Sequence, residues 1–149
     1  MSFRAGPRYI RMDYKLELVL IPVTDVDRAK MFYLDNMGFV LIVDTAIGDG
    51  QRVVQVVPPG SECAIGFGTG ITSAAPGSAQ GLHLVVSDIL AARDELAGRD
   101  VAIGPVRHMV SGQWVDGPHP ERQNYQSFAD FADPDGNIWL LQEVDRSKG

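Results

Sequence analysis

An internal repeat with a period of about sixty residues constrains the fold of this chain more than any other feature of its sequence. Each half begins with an apolar run, LELVLIPV from Leu16 and GLHLVV from Gly81, and continues into a helical run, TDVDRAKMFYL and SDILAARDEL. Three strand-like runs follow each helical run, so each half is predicted to fold as β-α-β-β-β. Neither module buries its sheet face well alone, which predicts two stacked modules of the α+β class in one domain.

The linker between the halves sets the boundaries of the modules. Residues 73–80 are small and polar and contain Pro and Gly, which places module one at 14–72 and module two at 81–145. Residues 1–13 are expected to form a flexible basic arm, and residues 146–149 a tail. The remaining strands are predicted at 39–44, 52–57 and 63–67 in module one and at 101–107, 126–131 and 138–143 in module two.

Apolar stripes and capping residues predict the two helices. Thr24, with Asp27 three positions later, resembles a capping box, and either Ser87 or Asp88 is suited to cap the second helix. The residues expected to face the core are Val26, Ala29, Tyr33 and Met37 in the first helix and Ile89, Ala92 and Leu96 in the second.

Charge and composition argue against several classes of function. The net charge of −6 makes the chain poorly suited to bind nucleic-acid phosphates. No apolar run approaches the roughly 20 residues that span a bilayer, and the N-terminus lacks the apolar segment of a secretory signal. Cys63 is the single cysteine, which excludes an internal disulfide. We therefore expect a cytoplasmic protein without nucleic-acid or membrane partners.

Two stretches, VTDVDRAKMFY at the first helix and FADPDGN before the last strand, resemble the vicinal oxygen chelate superfamily, as does the repeated βαβββ unit. This superfamily includes glyoxalase I, extradiol dioxygenases and bleomycin-binding resistance proteins. The resemblance implies a cupped mixed sheet formed by the two modules, with helices outside, a ligand cavity inside and a homodimer. Because these motifs belong to the scaffold, they do not specify a reaction.

The resemblance also implies where a divalent metal would bind, on inward-facing positions of the first and last strand of each module. In this sequence the four positions are Leu18, Ala64, Gly81 and Leu140. None of them carries the nitrogen or oxygen donor that such a metal requires. The sequence therefore predicts no metal at the usual positions and no other cofactor.

Strand alternation places three polar side chains on the same inward face, each two positions from one of those sites: Glu62, His83 and Gln142. One hypothesis is a relocated metal site built from all three. Another is that Glu62 or His83 acts as a catalytic base, while Gln142 donates a hydrogen bond to a ligand. An exposed carboxylate at Glu62 and a structural histidine at His83 remain the alternatives.

The stretch 107–125 is long, contains several Gly and Pro residues and lacks a clear period, which is typical of a binding loop or lid. Trp114 and Tyr125 are suited to stack on a planar ligand, and Arg107 or Arg122 to meet a ligand anion. His108 is a further candidate ligand contact. The alternative is a surface hairpin whose tryptophan packs back on the domain.

Three functions are compatible with these observations. The first is a small-molecule-binding protein whose apolar cup holds or sequesters an aromatic or apolar compound without a metal. The second is an enzyme of the lyase, isomerase or dioxygenase type that uses Glu62 or His83. The third is a non-catalytic interaction module with a filled cup. The small residues Ala64 and Gly81 favour retained space, and hence binding.

Overall fold

A computed structural model describes residues 10–148, so Arg4 and Arg8 of the expected basic arm lie outside the described residues. Module one contains β1 (Leu18–Leu20), α1 (Val26–Met31), a π-helical turn (Phe32–Asn36), β2 (Val40–Ala46), β3 (Arg52–Val57) and β4 (Ala64–Thr69). Module two contains β5 (Leu82–Val86), α2 (Ile89–Gly98), β6 (Arg107–Val110), β7 (Gln113–Asp116), β8 (Phe128–Ala132), β9 (Ile138–Glu143) and a 3-10 turn (Arg146–Lys148). Among residues 10–148, no helix is both long and apolar enough to cross a membrane.

The strands form two mixed sheets, one from each half of the repeat. The first sheet has the strand order β1-β4-β3-β2, and the second has the order β5-β9-β8-β6-β7. In both sheets the first strand of the module pairs in parallel with the last, and the last pairs antiparallel with the strand before it. The predicted α+β class and the paired modules are therefore confirmed, with β7 as an additional strand in the second sheet.

Each sheet has a buried face, on which the helices pack, and an open face on its other side. On β9 the buried residues Trp139, Leu141 and Glu143 alternate with Leu140 and Gln142, which are partly exposed. The buried faces of both sheets join a single hydrophobic core, and the predicted stripes of both helices pack into it. The modules are thus held together through their helix-covered sides.

A buried polar network, which we call the Asp133 clamp, fixes the turn between β8 and β9 onto module one. Tyr33 donates its hydroxyl hydrogen to Asp133 Oδ2 at 2.7 Å and accepts a hydrogen bond from Trp139 Nε1 at 2.9 Å. Asn137 Nδ2 donates to the Pro22 carbonyl at 2.9 Å and to Asp133 Oδ2 at 2.8 Å. Burial, with the adjacent carboxylate, raises the pKa of Tyr33 well above its ordinary value of 10.0.

The helix caps are partly as predicted. Asp88 caps α2, because its Oδ1 accepts a hydrogen bond from the Ala91 amide at 3.2 Å. The cap of α1 is Asp25, which accepts from the Arg28 amide at 3.0 Å, so the predicted capping role of Thr24 is wrong. The Thr24 hydroxyl instead donates to Asp135 Oδ1 in the other module, at 2.6 Å.

The strand predicted at 101–107 is also wrong, because only its last residue, Arg107, belongs to a strand. The preceding segment contributes buried apolar residues to the core, which explains its strand-like sequence pattern. Pro105 has no backbone N–H to add to a ladder, and the Gly104 amide donates to the Asp130 carbonyl at 2.9 Å, while the Gly104 carbonyl accepts from the Arg93 side chain at 3.1 Å. Burial with isolated backbone hydrogen bonds, not a continuous ladder, therefore replaces the expected strand.

The segment 107–125 begins as a hairpin instead of an open loop. Strands β6 and β7 pair antiparallel around Ser111 and Gly112, whose φ angles of 49° and 77° both lie in the left-handed region. Positive φ at both central residues is the geometry of a two-residue type I′ turn. The surface-hairpin alternative is therefore the correct description of residues 107–116.

Candidate functional site

The open face of the second sheet gathers most of the residues that the sequence singled out. Phe128 lies directly opposite Gln142 on one side and Arg107 on the other, while His83 lies opposite Leu140. Side chains that are directly paired across strands point to the same side of a sheet. These five side chains therefore share one face, and it is the face turned away from the core.

At the hairpin end of this face, Arg107, Trp114 and Phe128 form a cluster that we call the Trp114 stack. The guanidinium carbon of Arg107 lies 4.4 Å from the centroid of the Trp114 ring, a cation–π arrangement. The indole meets Phe128 edge to face, with ring centroids 5.7 Å apart. Asp130 Oδ2 lies 3.5 Å from Arg107 Nη2 and balances its charge. Trp114 nevertheless remains 45% exposed, so an ordered aromatic surface faces solvent.

Phe128 and Asp130 also lie on this face, although no ligand-facing role was predicted for them from the sequence. The signal was present in the run Phe128–Ala132, where strict alternation buries Ala129 and Phe131. Strand alternation then directs Phe128 and Asp130 to the open face.

His83 lies on the edge strand β5 with one ring nitrogen free. Its Nδ1 is 2.7 Å from the Gly81 carbonyl oxygen, which can only accept a hydrogen bond, so Nδ1 carries the hydrogen. In the neutral ring Nε2 therefore keeps its lone pair. The side chain is exposed on the open face, and Nε2 is available to accept a hydrogen bond or a proton from a ligand.

Tyr125 lies beside Gln142, a residue of β9 in the second sheet. Gln142 Nε2 donates to the Tyr125 carbonyl at 3.3 Å, and the Tyr125 amide donates to the Glu143 carbonyl at 2.9 Å. These bonds anchor Tyr125 to β9 with a φ of 70°. Tyr125 is 49% exposed and its hydroxyl accepts a hydrogen bond from Arg146 Nη1 at 3.4 Å, so it offers a second exposed aromatic ring.

The open face of the first sheet is packed where the resemblance places a metal. Leu18 pairs directly with Ala64, as the family alignment requires, but Ala64 is only 5% exposed. A Cβ added at Gly66 would lie 3.2 Å from the Leu18 side chain and 3.1 Å from that of Leu20. The space expected beside Ala64 is therefore filled by leucine side chains. At Gly81 an added Cβ meets nothing within 4 Å, so the corresponding position beside the second sheet is open.

The structure gives no direct support to the relocated metal site. The side chain of Glu62 is 84% exposed, and its Oε2 lies 4.0 Å from Lys15 Nζ. No group of three or more His, Cys, Asp or Glu side chains within residues 10–148 is arranged to hold a metal ion. A site that also uses Gln142 stays a hypothesis.

His108 points away from the candidate site. It is 7% exposed on the other face of β6, and its Nδ1 donates to the Gly117 carbonyl at 2.7 Å. The pleat is the reason, since Arg107 and Met109 on either side of it project to the open face. His108 therefore does not lie on the open face, where it was expected to contact a ligand.

Arg122 forms an ion pair with a buried carboxylate on the helix side of the second sheet. It donates to both oxygens of Glu143 at 2.9 Å and 2.5 Å, and Glu143 also accepts from the Ile89 amide at 2.9 Å. These hydrogen bonds, chiefly those from Arg122, lower the pKa of Glu143 below its ordinary value of 4.5. Arg122 thus ties the segment 117–127 to β9, which leaves Arg107 as the guanidinium on the open face.

Comparison with known proteins places these features in a family. A sequence model of the glyoxalase/bleomycin resistance protein/dioxygenase superfamily matches residues 15–141. Among solved structures, the chain is similar to TnmS3, an antibiotic binding protein from Streptomyces sp. CB03234, with 30% sequence identity and a TM-score of 0.69. That match covers 91% of this chain and 98% of TnmS3.

Two further structures have similar scores. A glyoxalase/bleomycin resistance protein from Streptomyces sp. CB03234 is 32% identical, with a TM-score of 0.66 and coverage of 86% of this chain and 99% of that chain. A superfamily member from Sphaerobacter thermophilus DSM 20745 is 29% identical, with a TM-score of 0.69 and coverage of 90% and 100%. Comparison with curated proteins gives no significant match.

Proposed function

The chain belongs to the glyoxalase/bleomycin resistance protein/dioxygenase superfamily, and on this premise we propose that it binds and sequesters a small aromatic or apolar compound on the open face of its second sheet. The observation that carries the proposal is the Trp114 stack, in which a half-exposed indole is held in place by Arg107 and Phe128. An ordered aromatic surface loses little conformational freedom when a planar ligand stacks on it.

Three further observations support the binding of a small molecule without a metal. The usual metal positions of the family are Leu18, Ala64, Gly81 and Leu140, which offer no donor atoms. Similarity over most of the chain to TnmS3, an antibiotic binding protein, supports a small-molecule ligand. The net charge of −6 favours a neutral or cationic compound over an anionic one.

We also propose that the ligand is enclosed between two copies of the chain. Both open faces carry large apolar side chains that are exposed in the single chain, among them Leu20, Val40, Val85, Met109 and Ile138. Exposed apolar surface of this extent is typical of an interface. A homodimer would cover it, and light scattering of the purified protein should give twice the mass of one chain.

The binding proposal predicts the effect of removing the indole. Trp114→Ala should weaken the binding of planar aromatic compounds at least about tenfold, because the stacking surface is lost. Isothermal titration calorimetry with a panel of cationic, neutral and anionic planar compounds measures this loss. In the unaltered protein, a bound planar compound should quench the fluorescence of Trp114 and not that of Trp139, because Trp139 is only 2% exposed.

Val115→Ala is the matched control for this experiment. Val115 neighbours Trp114 on β7, is 41% exposed and points to the opposite face of the hairpin. The Val115→Ala variant should change the affinity for planar compounds by no more than about twofold. Equal losses in both variants, or none in Trp114→Ala, would contradict the proposed site.

A second candidate function is catalysis with His83 as the base. This is favoured because Nδ1 of His83 carries the hydrogen, which leaves the lone pair of Nε2 free to accept a proton. This function predicts that bound carbonyl compounds exchange an adjacent proton with deuterated water and that His83→Ala abolishes the exchange. A relocated metal site would show near-stoichiometric metal by elemental analysis, lost in Glu62→Ala or His83→Ala. The sequestration proposal predicts neither exchange nor metal approaching one ion per chain.

A further inference from the structure

The repeat creates two contacts between the modules, and the two are not equivalent. Aligning Asp25 with Asp88 places Leu96 at the position of Tyr33. Aligning Gly60 with Gly136 places Val57, Ser61 and Cys63 at the positions of Asp133, Asn137 and Trp139. Every member of the Asp133 clamp is thus replaced by a smaller or apolar side chain. The hydrogen bonds and the two aromatic rings that seal one contact have no counterpart at the other.

A cleft occupies the unsealed contact. It has a volume of about 330 Å³ and lies between the turn that contains Pro58 and Pro59 and the helix α2, with Phe39 on one wall and Ala92 and Leu96 on the other. It is on the helix side of the second sheet, away from the open face that carries the Trp114 stack. An apolar cavity of about 150 Å³ is enough to hold benzene. This cleft therefore has room for an aromatic ring with a short side chain.

The chemistry of the walls restricts the ligand. The two prolines have no N–H to donate into the cleft, and the other lining side chains are apolar apart from Glu95. Glu95 is the single charged side chain lining the cleft in the part of the chain that the structure describes. Its Oε1 lies 3.7 Å from Arg99 Nη1, but the Glu95 side chain is 68% exposed, so solvent and a second cation can reach the carboxylate.

We propose that this cleft is a second ligand site, separate from the open face, which takes a small aromatic or aliphatic primary amine. The apolar part of the amine would replace the side chains that fill the sealed contact, packing between Pro58, Pro59 and Leu96. Its ammonium group would lie at the mouth, beside Glu95. Occupancy would join the modules at the contact where the chain itself lacks a clamp, so the ligand should also stabilise the fold.

Methyl chemical shifts in the full-length protein test this proposal. Phenethylamine is the probe, and 3-phenylpropionate is its counterpart with the same ring and linker but the opposite charge. Titration with phenethylamine should give saturable shifts at Met37, Ala92 and Leu96. The amine should bind about threefold to fivefold more tightly than the carboxylate, which is the range of an exposed ion pair. Glu95→Gln should remove the preference for the amine, while phenethylamine should still shift the same methyl signals.

A matched pair of variants on α2 tests the location. Ala92→Leu extends a side chain into the cleft and should abolish the shifts, whereas Ala91→Leu makes the same change on the exposed side and should leave them. Should Ala92→Leu fail to fold, Glu95→Gln still tests the proposal. Trp114→Ala should leave the shifts intact, which separates this site from the proposed function.

Three outcomes would overturn the proposal. One is the absence of saturable shifts at these methyl groups with millimolar phenethylamine. Another is unchanged shifts in Ala92→Leu, and a third is their loss in Trp114→Ala, which would assign all binding to the open face.

Discussion

At the scale of single residues, Glu143 illustrates how one carboxylate fixes three parts of the fold. It accepts hydrogen bonds from Arg122 in the segment 117–127 and from the Ile89 amide at the start of α2, and it belongs to β9. Its side chain is only 2% exposed, so the pair with Arg122 is shielded on one side. Removing one partner of such a pair leaves the other charge without compensation.

Glu143→Gln should lower the free energy of unfolding at pH 7 by about 2 kcal/mol, a value reduced from that of a fully buried pair because Arg122 is partly solvated. The folded-state pKa of Glu143 lies below its ordinary 4.5, so this stabilisation is present above about pH 4.5 and is lost as the pH falls through the folded-state value. Urea denaturation of both proteins from pH 7 to pH 3 should show the difference shrinking.

Glu121→Gln serves as the control, because Glu121 is exposed and should change stability by less than about 0.5 kcal/mol. A Glu143→Gln difference that persists undiminished at pH 3 would contradict the role of the ionised carboxylate.

Residue roles were predictable from sequence only where local pattern decides them. The Asp-Pro-Asp-Gly-Asn sequence at 133–137 has the local chemistry of a tight turn, and the spacing of apolar residues predicted the stripe through Tyr33. That the two meet, with Asp133 accepting from the Tyr33 hydroxyl across 100 positions of sequence, depends on how the modules stack. The same limit applies to Arg122, whose partner Glu143 is 21 positions away.

At the scale of elements, the sequence predicted most of the strands but missed the β6–β7 hairpin. The bounds of β3 and β9 agree with the predicted 52–57 and 138–143. The β6–β7 hairpin is four residues a side and has no buried alternating face along β7, so its sequence lacks a period. The apolar pattern of 101–106 indicated burial correctly, but burial alone does not imply backbone pairing.

The hairpin turn gives a prediction that links stability to binding. Gly112 has a φ of 77° with nothing within 4 Å of an added Cβ, so Gly112→Ala should cost only the left-handed strain, about 1–2 kcal/mol. Because Trp114 is two residues further on, affinity for planar compounds should fall as well. Thermal unfolding and calorimetric titration of the same samples measure both effects.

Gly98→Ala is the opposite case and serves as the control. Gly98 lies in α2 without a positive φ, and an added Cβ there also meets nothing within 4 Å. The substitution should raise the free energy of unfolding by about 0.5–1 kcal/mol and leave affinity unchanged. If Gly112→Ala raised stability as Gly98→Ala does, the type I′ geometry of the hairpin would be wrong.

At the scale of the whole molecule, the two modules are related by sequence yet depend on each other for a core. Tyr33 and Phe39 from module one pack against Trp139 from module two, with ring centroids 5.8 Å and 6.0 Å apart. The Asp133 clamp crosses the same boundary. The repeat in the sequence predicted this mutual dependence, because a single βαβββ unit cannot cover its own sheet.

This dependence predicts that neither module folds alone. Residues 14–72 and residues 81–145, expressed separately, should lack a cooperative thermal transition, because each would expose its half of the shared core to water. In contrast, a protease site introduced into the exposed residues 73–75 should permit cleavage of the folded protein without loss of its circular dichroism spectrum, since the contacts between modules are non-covalent. Cooperative melting of either isolated module would show that the shared core is dispensable, and loss of structure on cleavage would show that the linker, not the packing, holds the modules together.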